Sequence, residues 1–115
     1  MLPNVGRSIV ERNKIAGYLL NSAHPDNGGK AQFFAALGFS AEHWETFANA
    51  LRKLAEDTPE ARCVESVHGQ KYLIDGRLAG PAGMTAMVRT IWIVDRGLDT
   101  PRLVTAYPHD EGEHQ

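Results

Sequence analysis

The stretch Met84-Thr85-Ala86-Met87-Val88-Arg89-Thr90-Ile91-Trp92-Ile93-Val94-Asp95 decides the fold. Its wealth of Val, Ile, Thr and Trp makes it read as the longest strand of the chain. Strand side chains alternate between faces with a period of two. Val88, Thr90, Trp92 and Val94 therefore share one face, with Met87, Arg89, Ile91 and Ile93 on the other. Both faces are largely apolar, which places this strand at the centre of a sheet. Arg89 stands out, because an arginine inside a central strand is costly unless it meets an anion or a carboxylate.

Turn formers flank the stretch on both sides. Gly80-Pro81-Ala82-Gly83 precedes it, and Gly97 to Pro101 leads out to a last strand, Leu103-Val104-Thr105-Ala106-Tyr107-Pro108. Upstream, Lys71 to Leu78 and Arg62 to Val67 alternate as two further strands joined through His68-Gly69-Gln70. Before Pro59 the rhythm is helical. Ile15, Tyr18 and Leu19 form a stripe within Glu11 to Leu20, and Phe33, Phe34 and Leu37 form one within Lys30 to Leu37, with Gly38 as the stop. Trp44, Phe47, Ala48, Leu51, Leu54 and Ala55 mark a longer helix, capped by Ser40 and ended by Asp57-Thr58-Pro59. The dense turn formers from Asn21 to Gly29 make a loop, and Met1 to Arg12 reads as an arm or short edge strand. The expected fold is α+β, with N-terminal helices packed on one face of a C-terminal antiparallel sheet of about four strands.

The 115 residues suit one domain, 1–115, with a core over 11–108 and an acidic flexible tail over 109–115. The lone Cys63 excludes an intrachain disulfide and a cysteine-based zinc site, and reads as a small core or sheet residue. No apolar stretch approaches the roughly 20 residues of a membrane span, and no basic segment followed by an apolar one opens the chain. The expected address is the cytoplasm, with no membrane partner, and Met1 with its short arm fits a free-standing gene. A net charge of −2 argues against broad nucleic-acid binding, and DNA is not expected as a partner. Setting aside Asp110, Glu111 and Glu113 of the tail leaves 12 basic against 11 acidic side chains, so a local cationic groove fits the composition.

Candidate chemistry gathers on the strands. Thr105 and Tyr107 share a face of the last strand, with Val104 and Ala106 on the other, and Lys71, Asp75 and Arg77 share a face of the second. If the register brings Lys71, Arg89, Thr105 and Tyr107 together, two cations, a hydroxyl and a phenol suit the extra negative charge of a phosphodiester transition state. The competing reading is an ion pair of Asp75 with Arg89 or Arg77. His24, in a Gly/Pro/Asn loop, is the acid–base candidate, since imidazole titrates near neutrality; a loop-bracing hydrogen bond is its alternative role. Lys30 opens a helix whose free N–H groups can hold an anion, and His68 beside Lys71 is a further phosphate-binding candidate. His109 and His114 read as solvating the tail. No cofactor and no metal site are expected, for want of an HxH or HExxH spacing.

The motifs Lys14-Ile15-x-x-Tyr18-Leu19-Leu20-Asn21, His24-Pro25, Gly29-Lys30-Ala31-x-Phe33-Phe34, Val88-Arg89-Thr90-x-Trp92 and Pro101-Arg102-Leu103-Val104-Thr105-Ala106-Tyr107-Pro108 resemble a small bacterial domain family of uncharacterised function. Helices followed by an antiparallel sheet ending in Thr-x-Tyr-Pro are similar, more loosely, to the barnase–EndoU–colicin–RelE group of ribonuclease toxins. That resemblance implies metal-independent cleavage of RNA through its ribose 2′-OH, a structured target such as tRNA, and a cognate antitoxin or immunity protein. It implies proton transfer by His24 or Tyr107, phosphate contacts from Lys30, Lys71 and Arg89, and positioning by Thr105. A non-catalytic protein-interaction domain using the same sheet face is the alternative.

Overall fold

After Pro59 the alternating pattern becomes four strands, β1 (Arg62–Ser66), β2 (Gly69–Ala79), β3 (Thr85–Asp95) and β4 (Pro101–Pro108). They form one antiparallel meander in the order β1-β2-β3-β4. In this computed structural model the described residues are 1–25, 27 and 29–109, so the expected acidic tail from Asp110 onward lies outside them. β3 is central, as its two apolar faces require. It is not the longest strand alone: Gly69 pairs with both Ser66 and Asp95, so β2 starts there and matches the 11 residues of β3.

β4 departs from simple alternation. Leu103 pairs with Trp92 and Thr105 with Ile91, which leaves Val104 as an extra residue in a β-bulge. Leu103 and Ala106 are consequently both buried, where strict alternation groups Val104 with Ala106. Cys63 is exposed, because β1 is an edge strand with little packed against it.

The N-terminal arm adds to the other edge of the sheet. Ile9 forms a parallel bridge to Arg102, its N–H donating to the Pro101 carbonyl (2.8 Å) and its carbonyl accepting from Leu103 N–H (2.9 Å). The first helix, α1 (Arg12–Lys14), widens at once into π-helical turns over Ile15–Leu19, closed by Leu20 N–H to the Ile15 carbonyl at 2.8 Å. α2 (Lys30–Ala36) stops at Gly38, whose φ of +101° is the left-handed conformation expected there. A 3₁₀ turn, Ala41–His43, then leads into α3 (Trp44–Asp57). The Ser40 side chain makes no capping bond, contrary to expectation, since its backbone carbonyl rather than its hydroxyl meets the His43 N–H.

α3 buries Phe47, Ala48, Leu51, Leu54 and Ala55 against Ile74, Leu78, Val88, Trp92, Leu103 and Ala106 of the sheet. Phe47 stacks on Phe39 at 4.4 Å between ring centroids and meets Phe34 at 4.7 Å, which ties the helices to one another. The buried polar groups of this face are satisfied: Trp92 Nε1 donates to Thr90 Oγ1 (2.9 Å), which donates to the Ile74 carbonyl (3.1 Å).

Where β2 ends, Gly80 passes directly beneath the Leu37 carbonyl at the end of α2, with no room for a Cβ. Gly80→Ala is expected to destabilise the protein by about 1–3 kcal/mol through overpacking. Thermal unfolding should report this as a drop of roughly 5–15 °C for a domain of this size. An unchanged melting temperature would contradict that close approach.

Candidate functional site

The face of the sheet turned away from α3 carries its side chains in registered rows. One row is Val64–Lys71–Ile93–Arg102, the next Arg62–Leu73–Ile91–Thr105, and the third Asp75–Arg89–Tyr107. Arg89 is costly there for the reason its position announces, and a carboxylate meets the cost. Its Nε donates to Asp75 Oδ1 (2.7 Å) and its Nη2 to Asp75 Oδ2 (2.9 Å), a two-point pair on half-buried side chains. The Arg89 bond holds the Asp75 carboxyl below the usual carboxylate range against the opposing effect of burial. Asp75 in turn, followed by Tyr107, holds the guanidinium more firmly protonated than a free arginine. Asp75 and Arg89 line a cleft of about 280 Å³ with Glu60, Ala61, Arg62 and Leu73.

His109 joins this group, which the sequence reading missed by assigning it to solvate the tail. Its N–H donates to the Met87 carbonyl (3.0 Å), so the antiparallel pairing continues one residue past Pro108. Its Nε2 lies 3.5 Å from Asp75 Oδ2. The available signal was the length of β3, which offers acceptors beyond the end of β4.

A second cluster gathers on Tyr18. Lys30 Nζ donates to the Tyr18 hydroxyl at 2.7 Å, and Thr105 Oγ1 lies 3.5 Å from the same oxygen. The His24 ring meets the Tyr18 ring edge-on, with centroids 4.9 Å apart. The ammonium groups of Lys14 and Lys30 lie 5.5 and 5.0 Å from the centre of the tyrosine ring. Burial alone raises the phenol pKa, but the bonds from Lys30 and Thr105 and the charges of Lys30 and Lys14 outweigh it and hold the phenol below its ordinary value.

The surrounding loop is pinned by a buried asparagine. Asn27 Nδ2 donates to the Tyr18 carbonyl (2.7 Å), and its Oδ1 accepts from Ala31 N–H (2.8 Å). That second bond occupies the start of α2, so Lys30 acts through its ammonium on Tyr18 rather than through a helix end open to an anion. Tyr18 itself was missed because it falls in an apolar helical stripe. The overlooked signal is that a tyrosine in such a stripe needs a polar partner for its hydroxyl.

The two clusters adjoin along β4, where Thr105 and Tyr107 share a face about 7 Å apart, two residues of strand. His24, Lys30, Thr105, Tyr107 and Arg89 thus lie along one ridge. Lys71 does not join them: it sits four residues from Asp75, about 13 Å along β2. His68 is exposed in the turn beyond it, near Asp95, which Arg102 holds through bonds of 2.7 and 3.1 Å. Among the described residues, no three His, Cys, Asp or Glu side chains are grouped to hold a metal ion. No described helix is long and apolar enough to cross a membrane.

The family described as "Domain of unknown function (DUF6883)" matches residues 1–110. The chain belongs to this family. A search of curated proteins finds no match. Among solved structures, the DUF6883 chain is similar to one from a contact-dependent growth inhibition toxin–immunity protein complex of Klebsiella pneumoniae 342. The TM-score is 0.72 at 17% identity, over 92% of this chain and 97% of that one. At that identity the likeness shows the fold alone.

The Asp75–Arg89 pair has a measurable consequence for the DUF6883 chain. Asp75 has a folded pKa below its unfolded value, so its contribution is fully present above the ordinary carboxylate range and is lost as pH falls through the lowered folded value. Asp75→Asn should therefore cost about 1–2 kcal/mol at neutral pH, less than a fully buried pair because the site is partly open to solvent. Urea unfolding at pH 7 and in acid should show the difference between wild type and variant closing at the acid end. A difference that persists unchanged in acid would exclude the ion pair as its source.

Proposed function

We propose that this chain is a toxin-type domain that cleaves a structured RNA such as tRNA without a metal, and that an antitoxin or immunity protein neutralises it. The observation that carries this reading is the convergence of His24, Lys30 and Thr105 on Tyr18, continuous along β4 with Tyr107 and Arg89. Attack by a ribose 2′-OH needs a base, a proton donor and cationic stabilisation of the phosphoryl oxygens, and that ridge supplies all three from side chains. His24 takes the 2′ proton, Lys30 and Arg89 face the phosphate, and Thr105 positions it. An arginine has five N–H donors and Asp75 engages two of its nitrogens, so the pair fixes the guanidinium plane while leaving donors for phosphate and Tyr107. Lys71 and His68, farther along the face, contact RNA backbone away from the reacting bond. The fold shared with a chain of a growth-inhibition toxin–immunity complex supports both the toxin reading and the expectation of a neutralising partner.

A non-catalytic protein-interaction domain is the second reading. The pairing of Arg89 with Asp75 and of Arg102 with Asp95 favours it, because it leaves the face balanced in charge, as protein interfaces often are. Growth of cells expressing wild type, Arg89→Ala and Tyr107→Phe separates the two. Toxicity abolished by substitutions that leave folding intact supports chemistry, and a harmless wild type in several hosts supports binding.

Cleavage of structured RNA is expected in excess EDTA, with none on the corresponding all-deoxy strand, which lacks the nucleophile. His24→Ala should lower the rate by about 10²–10⁴, the range for losing an acid or base. Arg89→Ala should lower it by roughly 10²-fold or more, as for losing one donor to developing charge. A requirement for a divalent ion, or cleavage of the deoxy strand, would refute this mechanism.

A further inference from the structure

The Tyr18 hydroxyl stands at the centre of the His24–Lys30–Thr105 group, yet the chemistry above gives it no task. Its hydrogen bonding assigns one. A phenol oxygen has one proton to donate and lone pairs to accept with. An ammonium has no lone pair, so the 2.7 Å bond runs from Lys30 Nζ–H to the phenol oxygen. The longer contact from Thr105 Oγ1 approaches the same oxygen. The Lys30 bond thus takes the acceptor side of the hydroxyl, and among the described residues no short bond claims its own proton, which is left to point toward whatever is held beside Lys30, Thr105 and His24.

We infer that Tyr18 is the general acid of the cleavage step, delivering its hydroxyl proton to the departing 5′-oxygen of an RNA phosphodiester held by Lys30 and Thr105. This rests on the ribonuclease reading and adds a catalytic residue to it. In the step, the 2′-oxygen forms its bond to phosphorus as the bond from phosphorus to O5′ breaks. The 2′ proton passes to His24, and the Tyr18 proton passes to O5′, leaving a 2′,3′-cyclic phosphate and a 5′-hydroxyl. The phenolate keeps its bond from Lys30 until water restores its proton, and His24 returns its own proton to solvent. The lysines that lower the phenol pKa ease this transfer. Tyr107 is less suited to the task, because it is registered against Arg89 and interacts with that guanidinium.

A general acid has a signature that a structural residue lacks: its loss is rescued when the leaving group needs no proton. Wild type and Tyr18→Phe are compared on a structured RNA and on the same RNA with sulfur in place of the bridging 5′-oxygen at the mapped bond. Tyr18→Phe should lower the rate on ordinary RNA by about 10²–10⁴ and on the sulfur-bridged RNA by less than about tenfold. If Tyr18→Phe does not fold, a fluorinated tyrosine at position 18 keeps the ring and hydroxyl, and its more acidic phenol should move the alkaline limb of the pH–rate profile to lower pH on ordinary RNA and leave the sulfur-bridged profile unmoved; an unmoved limb on ordinary RNA overturns the assignment. An equal loss on both substrates, or no loss on either, overturns the assignment of Tyr18 while wild-type cleavage upholds the ribonuclease reading. Wild type inactive on both removes the ribonuclease reading and this inference with it.

Discussion

A strand cannot bury Trp92 without turning Arg89 the other way. That two-residue alternation in β3 is the constraint on which the rest of the molecule depends. Val88, Thr90 and Trp92 are wholly buried beneath α3, and the price of that face is a guanidinium held among Ile91 and Ile93 on the other. The register of β2 then puts Asp75 opposite Arg89, and the register of β4 puts Tyr107 on its other side. Core packing and the polar ridge are thus two consequences of one periodicity. A one-residue slip of β3 would lose both together.

The ridge is assembled from both halves of the chain. The helical half contributes Tyr18, His24 and Lys30, and the sheet contributes Thr105, Tyr107 and Arg89. Contacts such as Thr105 with Tyr18 span 87 residues of sequence, so the arrangement exists only after helices and sheet have docked. Asn27 braces the helical half. It ties the end of the π-helical segment to the start of α2, and a buried amide with both ends bonded is expensive to move.

The fold was legible because its signals are local. Alternation after Pro59, a 3.6-residue stripe from Trp44 to Ala55, and glycine–proline turns between them lead to the observed order of elements. The site was legible where it depends on strand faces, as with Arg89, Thr105 and Tyr107. Its other members follow from geometry that no local pattern encodes. Tyr18 looked like a core residue because a π-helical turn and a distant threonine give its hydroxyl a place. His109 looked like tail because its partner, Asp75, is 34 residues away. Val104 misled for a related reason: a bulge leaves no mark in an alternating pattern, and it separates two buried residues by three positions instead of two.

The two borders of the sheet are unequal. Ile9 pairs along the outside of β4 near Arg102, and prolines stand at both ends of that strand, so this border offers little backbone to a newcomer. β1 is short and exposed, with its outer backbone unpaired among the described residues. Growth by strand addition is therefore one-ended. Two molecules joined through β1 would turn outward only the bridged, proline-flanked border of β4, so this route would favour a closed pair over a fibre. Any assembly of this chain through its sheet would be biased toward pairs, and that bias would come from a single bridging residue in what the sequence shows only as an arm.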